Sequence, residues 1–574
     1  MPIDADTEKI IKVIALKNSI EHDGKAQADA VIAKFVGSKP ELRGQVKSLI
    51  PEIGTVVQKI NAMPLADQKT LLEELAPGQA AAKKPAGEQQ PQLPPLEGAV
   101  QGKVVTRFPP EPNGYPHIGH AKAAIIDEEY ARMYGGKLIL RFDDTNPLKE
   151  KLEYYDAIAE GLEWLGVRPD VVKNTSDDIE LLQSYGKKLI ELGGAYVCTC
   201  SQDRIHDLRG KGLPCECRSD HSVALERLDK MFGSLYGQNE AIVRYKGDMA
   251  DQNTAMRDPA LFRIIEGDHP KLGSKVRVWP TYDFAAPIED SIDGVTHAMR
   301  TKEYELRNAL YYAILDRLSL RKPTMIEFSR LEFEGIPVSK RKIKPLIDSG
   351  AIKSWDDPRL PTLVAFKRRG FLPEAIRKFV LSLGFTLAET KPPFETLEAF
   401  NRKMIDPISP RLFFVKNPVK VQINGAREMD VVLKNHPTDA SLGTRKVRVG
   451  DSVYIAGDDA ANLKAGDEVR LIELNNIRVT GADPKGITAE VGGDEIRQSM
   501  PKIQWIAKND IVEYRVMIPK ALYVGEEYNT NSLEIARGFA ESFVSGLKPD
   551  ARVQFVRFGF CRIDDGQTAI MTHR

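Results

Sequence analysis
The chain has 574 residues, 42% of them hydrophobic and 28% charged, with 81 Lys+Arg against 81 Asp+Glu and five cysteines. That length suggests about four domains of ordinary globular composition. It excludes a membrane span, because no apolar run approaches about 18 residues, and a disulfide scaffold, because the cysteines are too few; a reducing cytoplasm is expected. The zero net charge carries no global nucleic-acid signal and leaves only local basic patches for phosphate.

The opening "MPIDADTEKIIKVIALKN" has early acids and no long apolar core, so it is not a secretory signal. Residues 1–76 are expected to be helical, with apolar residues at helical spacing in "TEKIIKVIALKNSIEH" and "QKTLLEELA". Residues 77–98, rich in Pro, Gly, Ala and Gln, cannot bury a core and are expected to be a linker. Residues 99–194 then alternate strand and helix: "GKVVTRF", a loop, a helix from Ala121, the strand "GGKLILRFDD" and two more helices. That alternation is the unit of a parallel sheet. Residues 195–275 hold four of the five cysteines and form an expected insertion. Strand–helix alternation is expected to resume over 276–344, and residues 345–405 are expected to be helical. Residues 406–574 carry short alternating runs broken by Gly, Asp and Asn, a texture that predicts antiparallel barrels.

Two loops carry the chemistry. "RFPPEPNGYPHIGH", residues 107–120, is held open by proline and leads straight into a helix. A helix start points free backbone N–H groups at its surroundings and suits an anion such as phosphate. His117 and His120 can donate to phosphoryl oxygens, and Gly119 allows close approach. "GIPVSKRKIKP", residues 335–345, is a second expected loop, carrying Ser339, Lys340, Arg341, Lys342 and Lys344. An ammonium there can neutralise a leaving pyrophosphate. Singly, the first would be a turn with two surface histidines and the second a solvated charge run. Together they are the signature shared by class I aminoacyl-tRNA synthetases.

"RFPPEPNGYPHIGHAKAA", "LRFDDTNP", "WPTYDFAAPIEDSIDGVTHAMRTKEY", "VSKRK" and "WDDPRLPTLVAFKRRG" resemble, in this order, the glutamyl/glutaminyl-tRNA synthetase group, and more narrowly its archaeal and eukaryotic branch. The resemblance covers roughly residues 100–574. It implies a multidomain α/β plus β fold: a Rossmann-like parallel-sheet core, an inserted acceptor-binding domain, a helical N-terminal appendage and C-terminal anticodon-binding β-barrels. The implied activity is ligation of glutamate to tRNA-Glu through glutamyl-AMP, with ATP and Mg²⁺; tRNA-Gln as a second acceptor stays open. Glutaminyl-tRNA synthetase and a non-catalytic tRNA-binding paralogue are the alternatives.

By the same resemblance, catalysis falls to His117, His120 and Lys340. ATP falls to His117, Gly119, His120, Thr301, Arg330, Leu331, Ser339 and Lys340, and the amino acid to Arg107, Glu111, Asp143, Tyr282 and Arg300. Asp143 matches the carboxylate for the substrate α-ammonium, and Arg300 the position that separates glutamate from glutamine. A fixed guanidinium there binds a carboxylate and rejects an amide; the plain alternative is a surface ion pair of Arg300 with Glu303. Ala286 departs from the Asn common in bacterial relatives.

Cys198, Cys200, Cys215 and Cys217 form two C-x-C pairs fourteen residues apart, which suits structural tetrahedral zinc. His206 or His221 could substitute for one ligand. Lys367, Arg368 and Arg369 beside aromatics are weak candidates for tRNA contact. The helical head could dock protein or RNA or serve solubility, and a cytoplasmic monomer is expected.

Overall fold
The computed structural model describes residues 5–21, 24–38, 46–76, 93–219, 222–338, 340–389, 391–483, 486–497 and 500–574. The chain divides into two compact units, Met1–Gln90 and Pro91–Arg574. Among the described residues, no helix is long and apolar enough to cross a membrane.

Among the described residues the first unit is four helices: α1 (Ala5–Glu21), α2 (Ala28–Ser38), α3 (Val46–Asn61) and α4 (Leu65–Leu75). Their apolar faces meet in a core that includes Ile11, Leu16, Val31, Phe35, Ile53 and Leu72. A buried amide ties the turns together. Gln68 donates Nε2–H to the carbonyls of Gly24, Ile60 and Met63 and accepts from the Ser19 hydroxyl at 2.8 Å. Every polar atom of that side chain is therefore used, as burial demands.

The second unit opens with Leu93 and Leu96 buried in its main core, so the end of the expected linker belongs to the folded body. Residues 77–92 of that linker lie outside the described residues. The core sheet is β1 (Val105–Phe108), β2 (Lys137–Phe142) and β3 (Val171–Asn174), all parallel, with α5 (Ile118–Met133), α6 (Leu152–Trp164) and α7 (Ile179–Glu191) between or after them.

An antiparallel sheet follows: β4 (Ala195–Cys198), β5 (Ile242–Tyr245), β6 (Ala260–Ile264) and β7 (Val278–Pro280), with α8 (Gln202–Lys211) and α9 (Ala224–Phe232) inside it. The strand at "VWP" pairs with β6, so it closes this inserted sheet, and the expected restart of the core at residue 276 is corrected. A strand's own sequence does not say which neighbour it pairs with.

The core resumes with α10 (Tyr282–Ile292), β8 (His297–Thr301), α11 (Asn308–Leu318) and β9 (Thr324–Phe328), where β8 and β9 are parallel. Thr296 joins the two halves. Its N–H donates to Val105 O at 2.9 Å, and its Oγ1 accepts from Val105 N–H at 2.9 Å. The strands thus run in space β3-β2-β1-β8-β9. The chain order reverses between β1 and β8, and in open α/β sheets ligands bind at such a switch point, beyond the carboxyl ends of the strands.

Helices α12 (Lys340–Asp348), α13 (Leu363–Arg369), α14 (Pro373–Ser382) and α15 (Phe394–Ile405) lead on to two seven-stranded sheets. Lys340–Lys344 open α12, so the expected loop over 335–345 is corrected in its second half, and the expected boundary at 344/345 falls inside a helix. Lys and Arg are good helix formers.

One C-terminal sheet uses Arg411–Leu412 and Phe414–Lys416 together with strands from Ile511 to His573. The other is built wholly from strands between Val419 and Ala507. Each has its own apolar core. The second sheet is therefore inserted into the first, a nesting that local alternation does not reveal.

Candidate active site
The proline-held loop ends as a helix cap. His117 is the N-cap of α5; its Nδ1 accepts Gly119 N–H at 3.1 Å, and His120 Nδ1 accepts His117 N–H at 3.2 Å. Ile118 N–H is taken by Pro361 O at 3.0 Å. The expectation of free backbone N–H groups at this helix start is corrected, because these three amides already have protein partners.

What the loop offers instead is imidazole. With each Nδ1 used as an acceptor, the ring proton sits on Nε2 and is free to donate. Burial pushes the His120 ring down to about 4, and burial together with His120 and Arg330 pushes His117 well below its ordinary value. Both rings are neutral donors near pH 7, tilted against each other with centroids 4.0 Å apart. Gly119 has a steric reason to lack a side chain: a Cβ there would lie 2.9 Å from His117 Cε1.

Beside α5 runs the segment after β9. Lys122 of α5 donates to Ser329 O at 2.6 Å, and burial lowers its ammonium to about 8. This bond sets Arg330 and Leu331 next to the helix start, with Leu331 O 3.9 Å from the position a Gly119 Cβ would take. Arg330 pairs with Glu303 at 3.1 Å. Thr301 ends β8 on the same edge of the sheet. Ser339 lies outside the described residues; Lys340 is the first residue of α12. Two basic neighbours in that run are occupied at the surface, Lys342 by Glu526 at 3.3 Å and Lys344 by Asp348 at 2.7 Å.

A cleft of about 480 Å³ opens at the carboxyl ends of β1, β2 and β8. Arg107, Glu111, His120, Asp143, Tyr282, Arg300 and Thr301 all line it. Arg107, on β1, is 1% exposed and donates Nε–H to Asp290 at 3.0 Å. Asp290 also accepts from Arg141 at 2.8 Å and from the Tyr311 hydroxyl at 2.9 Å. Burial opposes its charge, but Arg107 and Arg141 hold its carboxyl below the usual range. This buried hub fixes the cleft floor, and sequence reasoning missed Asp290, Arg141 and Tyr311 because nothing local distinguishes a hub from any other core ion pair.

Arg300, on β8, is 6% exposed and donates to Asn308 Oδ1, while Asn308 in turn donates to Glu327 at 2.6 Å. The guanidinium carbon lies 5.3 Å from the Tyr311 ring centroid and 5.9 Å from that of Tyr304. Its Nε is buried without a hydrogen-bond partner. Among the described residues no carboxylate pairs with Arg300. The surface ion pair with Glu303 is therefore excluded, since Glu303 is engaged by Arg330.

Asp143 follows β2. Burial, reinforced by Glu111, Asp144 and Glu150 and opposed by Arg141, raises its carboxyl to about 7. Tyr282 begins α10 and packs on Tyr304 with centroids 5.2 Å apart. Ala286 is buried in α10 and does not line the cleft. Arg263 also lines the cleft, with its Nε buried and unpartnered; as a lone Arg on β6 it gave no sequence signal.

The four clustered sulfurs lie within 4.8 Å of one another, with Cys198–Cys215 at 3.7 Å and Cys200–Cys217 at 3.8 Å. A tetrahedron with Zn–S of about 2.3 Å has edges of about 3.8 Å, so the donor set fits zinc. Arg244 and the Tyr196 hydroxyl approach Cys215 at 3.7 and 3.5 Å, as partners that would stabilise thiolate. His206 is not among the clustered ligands, and His221 lies outside the described residues. Cys561 is buried far along the chain in the last sheet, its thiol pushed up by burial.

The basic run at 367–369 divides. Lys367 is exposed. Arg368 pairs with Asp564 at 2.9 Å and Asp356 at 3.2 Å. Arg369 is buried, donating to Glu398 at 3.0 Å and to Thr572 O at 3.1 Å, and burial lowers its guanidinium to about 10. The expectation that Arg368 and Arg369 face RNA is corrected: they brace the connector helices against the C-terminal sheet.

Comparison with known proteins adds three matches to one family description, tRNA synthetases class I (E and Q). Its catalytic domain matches residues 103–407, and its anti-codon binding domains match 409–494 and 502–564. A protein named glutamate--tRNA ligase from Cenarchaeum symbiosum is 50% identical, over 98% of both chains. The protein of that name from Nitrosopumilus maritimus is 48% identical over 100% of both chains. The one from Pyrococcus abyssi is 40% identical over 99% of this chain and 100% of its own.

Proposed function
We infer the function from one premise: the chain belongs to the class I tRNA synthetases for E and Q, glutamate and glutamine. Within that family it is a glutamate–tRNA ligase. The observation that carries the choice of amino acid is Arg300, a buried guanidinium on the cleft wall with no carboxylate of its own among the described residues. A substrate γ-carboxylate supplies the missing anion. Glutamine would leave the guanidinium facing an NH₂ donor, and a site built for one polar group rejects its uncharged analogue strongly.

The chemistry follows from the donors around the cleft. Asp143 is suited to the α-ammonium of glutamate. The α-carboxylate attacks the α-phosphorus of ATP, forming the acyl–phosphate bond as the bond to the β-phosphate oxygen breaks and pyrophosphate leaves. The neutral Nε2–H groups of His117 and His120 are suited to the phosphoryl oxygens. Because the loop's own hydrogen bonds hold both rings in place, they can stabilise developing charge without reorganising. Lys340, at the start of α12, supplies positive charge for the leaving group. Mg²⁺ enters with the triphosphate as part of that substrate. In the second step the terminal adenosine of tRNA takes the glutamyl group and AMP leaves.

Zinc fits this reading as a structural ion held by Cys198, Cys200, Cys215 and Cys217, with no open position for water. Free rather than disulfide-bonded cysteines suit the reducing cytoplasm. We keep the monomer, and a docking role for the N-terminal helices, as part of the same proposal.

A charging assay with labelled glutamate and glutamine against purified tRNA-Glu and tRNA-Gln tests it. Glutamate should be attached to tRNA-Glu and glutamine to neither tRNA. Attachment of glutamine without glutamate overturns the assignment, and the tRNA-Gln arm with glutamate reads out whether a second acceptor is used.

A further inference from the structure
We propose that His269, from the turn between β6 and β7 of the inserted sheet, is a positioning residue for the amino-acid site: it clamps the loop that carries Asp143. The inference rests on the reading of Asp143 as the partner of the substrate α-ammonium. The carboxylate of Asp143 is itself loosely held. Among the described residues, its one hydrogen bond is a long one, from Thr175 Oγ1 at 3.5 Å. Its position is therefore set by the backbone of residues 143–150, and that backbone is fixed from behind.

His269 is 2% exposed and sits in a tight turn, with its N–H and carbonyl bridged to Gly273 at 3.0 and 2.8 Å. Its Nδ1 accepts the N–H groups of Lys271 and Leu272, each at 3.2 Å. The proton of the ring is therefore on Nε2. Nε2 faces the main-chain carbonyl of Asp144 at 3.2 Å and Glu150 Oε2 at 3.1 Å. The hydrogen bond goes to the Asp144 carbonyl; Glu150 Oε2 is a close polar contact of the ring and, among the described residues, has no hydrogen-bond partner. The other Glu150 oxygen accepts from Asn146 N–H at 2.6 Å, closing the loop on itself. The Asp144 side chain is held by the Tyr155 hydroxyl at 2.7 Å and by Ser176 N–H and Oγ at 2.8 and 2.7 Å. Trp279 stacks on the imidazole, centroids 5.0 Å apart, and fixes its plane.

One ring thus joins two different parts of the fold. Nδ1 organises the turn of the inserted sheet, and Nε2–H reaches the loop after β2. Substitution can separate the two bonds. His269→Asn keeps an acceptor near the Nδ1 position and loses the reach to the loop. His269→Gln keeps an N–H near the Nε2 position.

The test is the KM for glutamate and for ATP in ATP–pyrophosphate exchange on the full chain, with thermal unfolding of each variant. His269→Asn should raise the KM for glutamate about tenfold, the scale of one lost buried hydrogen bond, with the KM for ATP within about twofold of wild type. His269→Gln should restore most of the difference. Glu150→Ala loosens the same loop from its own side, by removing the Asn146 N–H tie and the carboxylate that the ring faces, and should give the same split if His269→Asn folds poorly. Asp143→Asn, measured beside them, should raise the KM for glutamate as well. If Asp143→Asn raises that KM while His269→Asn and Glu150→Ala leave it unchanged, this inference is overturned alone. Equal increases for glutamate and ATP overturn it too, since they indicate general loosening. An unchanged KM for glutamate in Asp143→Asn overturns the reading of Asp143 and this inference with it.

Discussion
Glu303 pairs with Arg330 at 3.1 Å, and Arg300 is left facing the cleft with no carboxylate partner among the described residues. The two guanidinium groups thus differ in what they engage. One anchors the segment beside the α5 helix start, and the other keeps its charge for a ligand.

Replacing Arg300 by Ala should lower kcat/KM for glutamate roughly a hundredfold, as loss of charge-assisted bonds worth about 3 kcal/mol would. Arg300→Lys should recover only part of this, because it keeps the charge and loses the planar fork. Steady-state pyrophosphate exchange measures both. An Arg300→Ala enzyme with near wild-type kcat/KM would remove the residue from amino-acid recognition.

The Asp143 carboxyl, raised to about 7 by burial, gives a pH dependence of definite sign. An ammonium binds the carboxylate and not the protonated acid, so affinity for glutamate is complete above pH 7 and is lost as pH falls through it. The KM for glutamate should rise about tenfold per unit below that point. Calorimetric titration near pH 7 in buffers of different ionisation enthalpy should register proton release on binding. A KM flat between pH 6 and 8 would contradict this.

Gly119→Ala places a methyl group against the His117 ring, 2.9 Å from Cε1 in the present geometry. The ring must turn, and its Nε2–H leaves the direction that the proposed phosphate contact requires. The rate constant of glutamate activation should fall at least about tenfold with little change in melting temperature, since misplacement of this size is costly in rate. Single-turnover adenylate formation measures it.

Purified protein should contain about one zinc per chain by mass spectrometry, and a chelator should lower its melting temperature by loosening residues 198–217. Less than ~0.2 zinc per chain, prepared without chelator, would reject the site. Cys215→Ser should reproduce the effect of the chelator without directly altering the glutamate cleft, from whose lining it is absent.

Arg369→Ala should cost stability rather than RNA affinity. It strands Glu398 and the Thr572 carbonyl in a buried setting, and removal of one partner of such a pair costs about 3 kcal/mol. Urea unfolding should show the loss, while the salt dependence of tRNA binding stays as in wild type. Lys367→Ala should do the reverse, reducing the slope of log affinity against log salt by just under about one.

The parts of this protein that sequence exposed are those whose residue types are unusual for their place. The proline-rich loop with two histidines gains its reading only beside the basic run at 339–344, and Arg300 gains its own from the motif around it. Cys198, Cys200, Cys215 and Cys217 announce themselves by spacing. What sequence concealed is set by distant pairing. Arg368 and Arg369 look like Lys367 along the chain, and partners from other elements, Asp564 and Glu398 among them, make them braces. Strand β7 has the same composition as a core strand and pairs elsewhere. Strand β3 is short and largely exposed, so its pattern is weak. The hub at Asp290 and the clamp at His269 are single residues whose partners come from other elements.

The nesting of the two C-terminal sheets makes the stretch from residue 417 to 510 a removable cassette. Its two ends attach to opposite sides of one strand: Val415 lies against Phe539, and Ile511 against Glu541. Both run antiparallel to that strand and therefore parallel to each other, so a direct connection between them is a crossover of about a dozen residues or more. Evolution or an engineer can exchange the inner module at these two ends while the host sheet keeps its own strands, provided the replacement again covers Phe413 and Val415, which pack into the inner core.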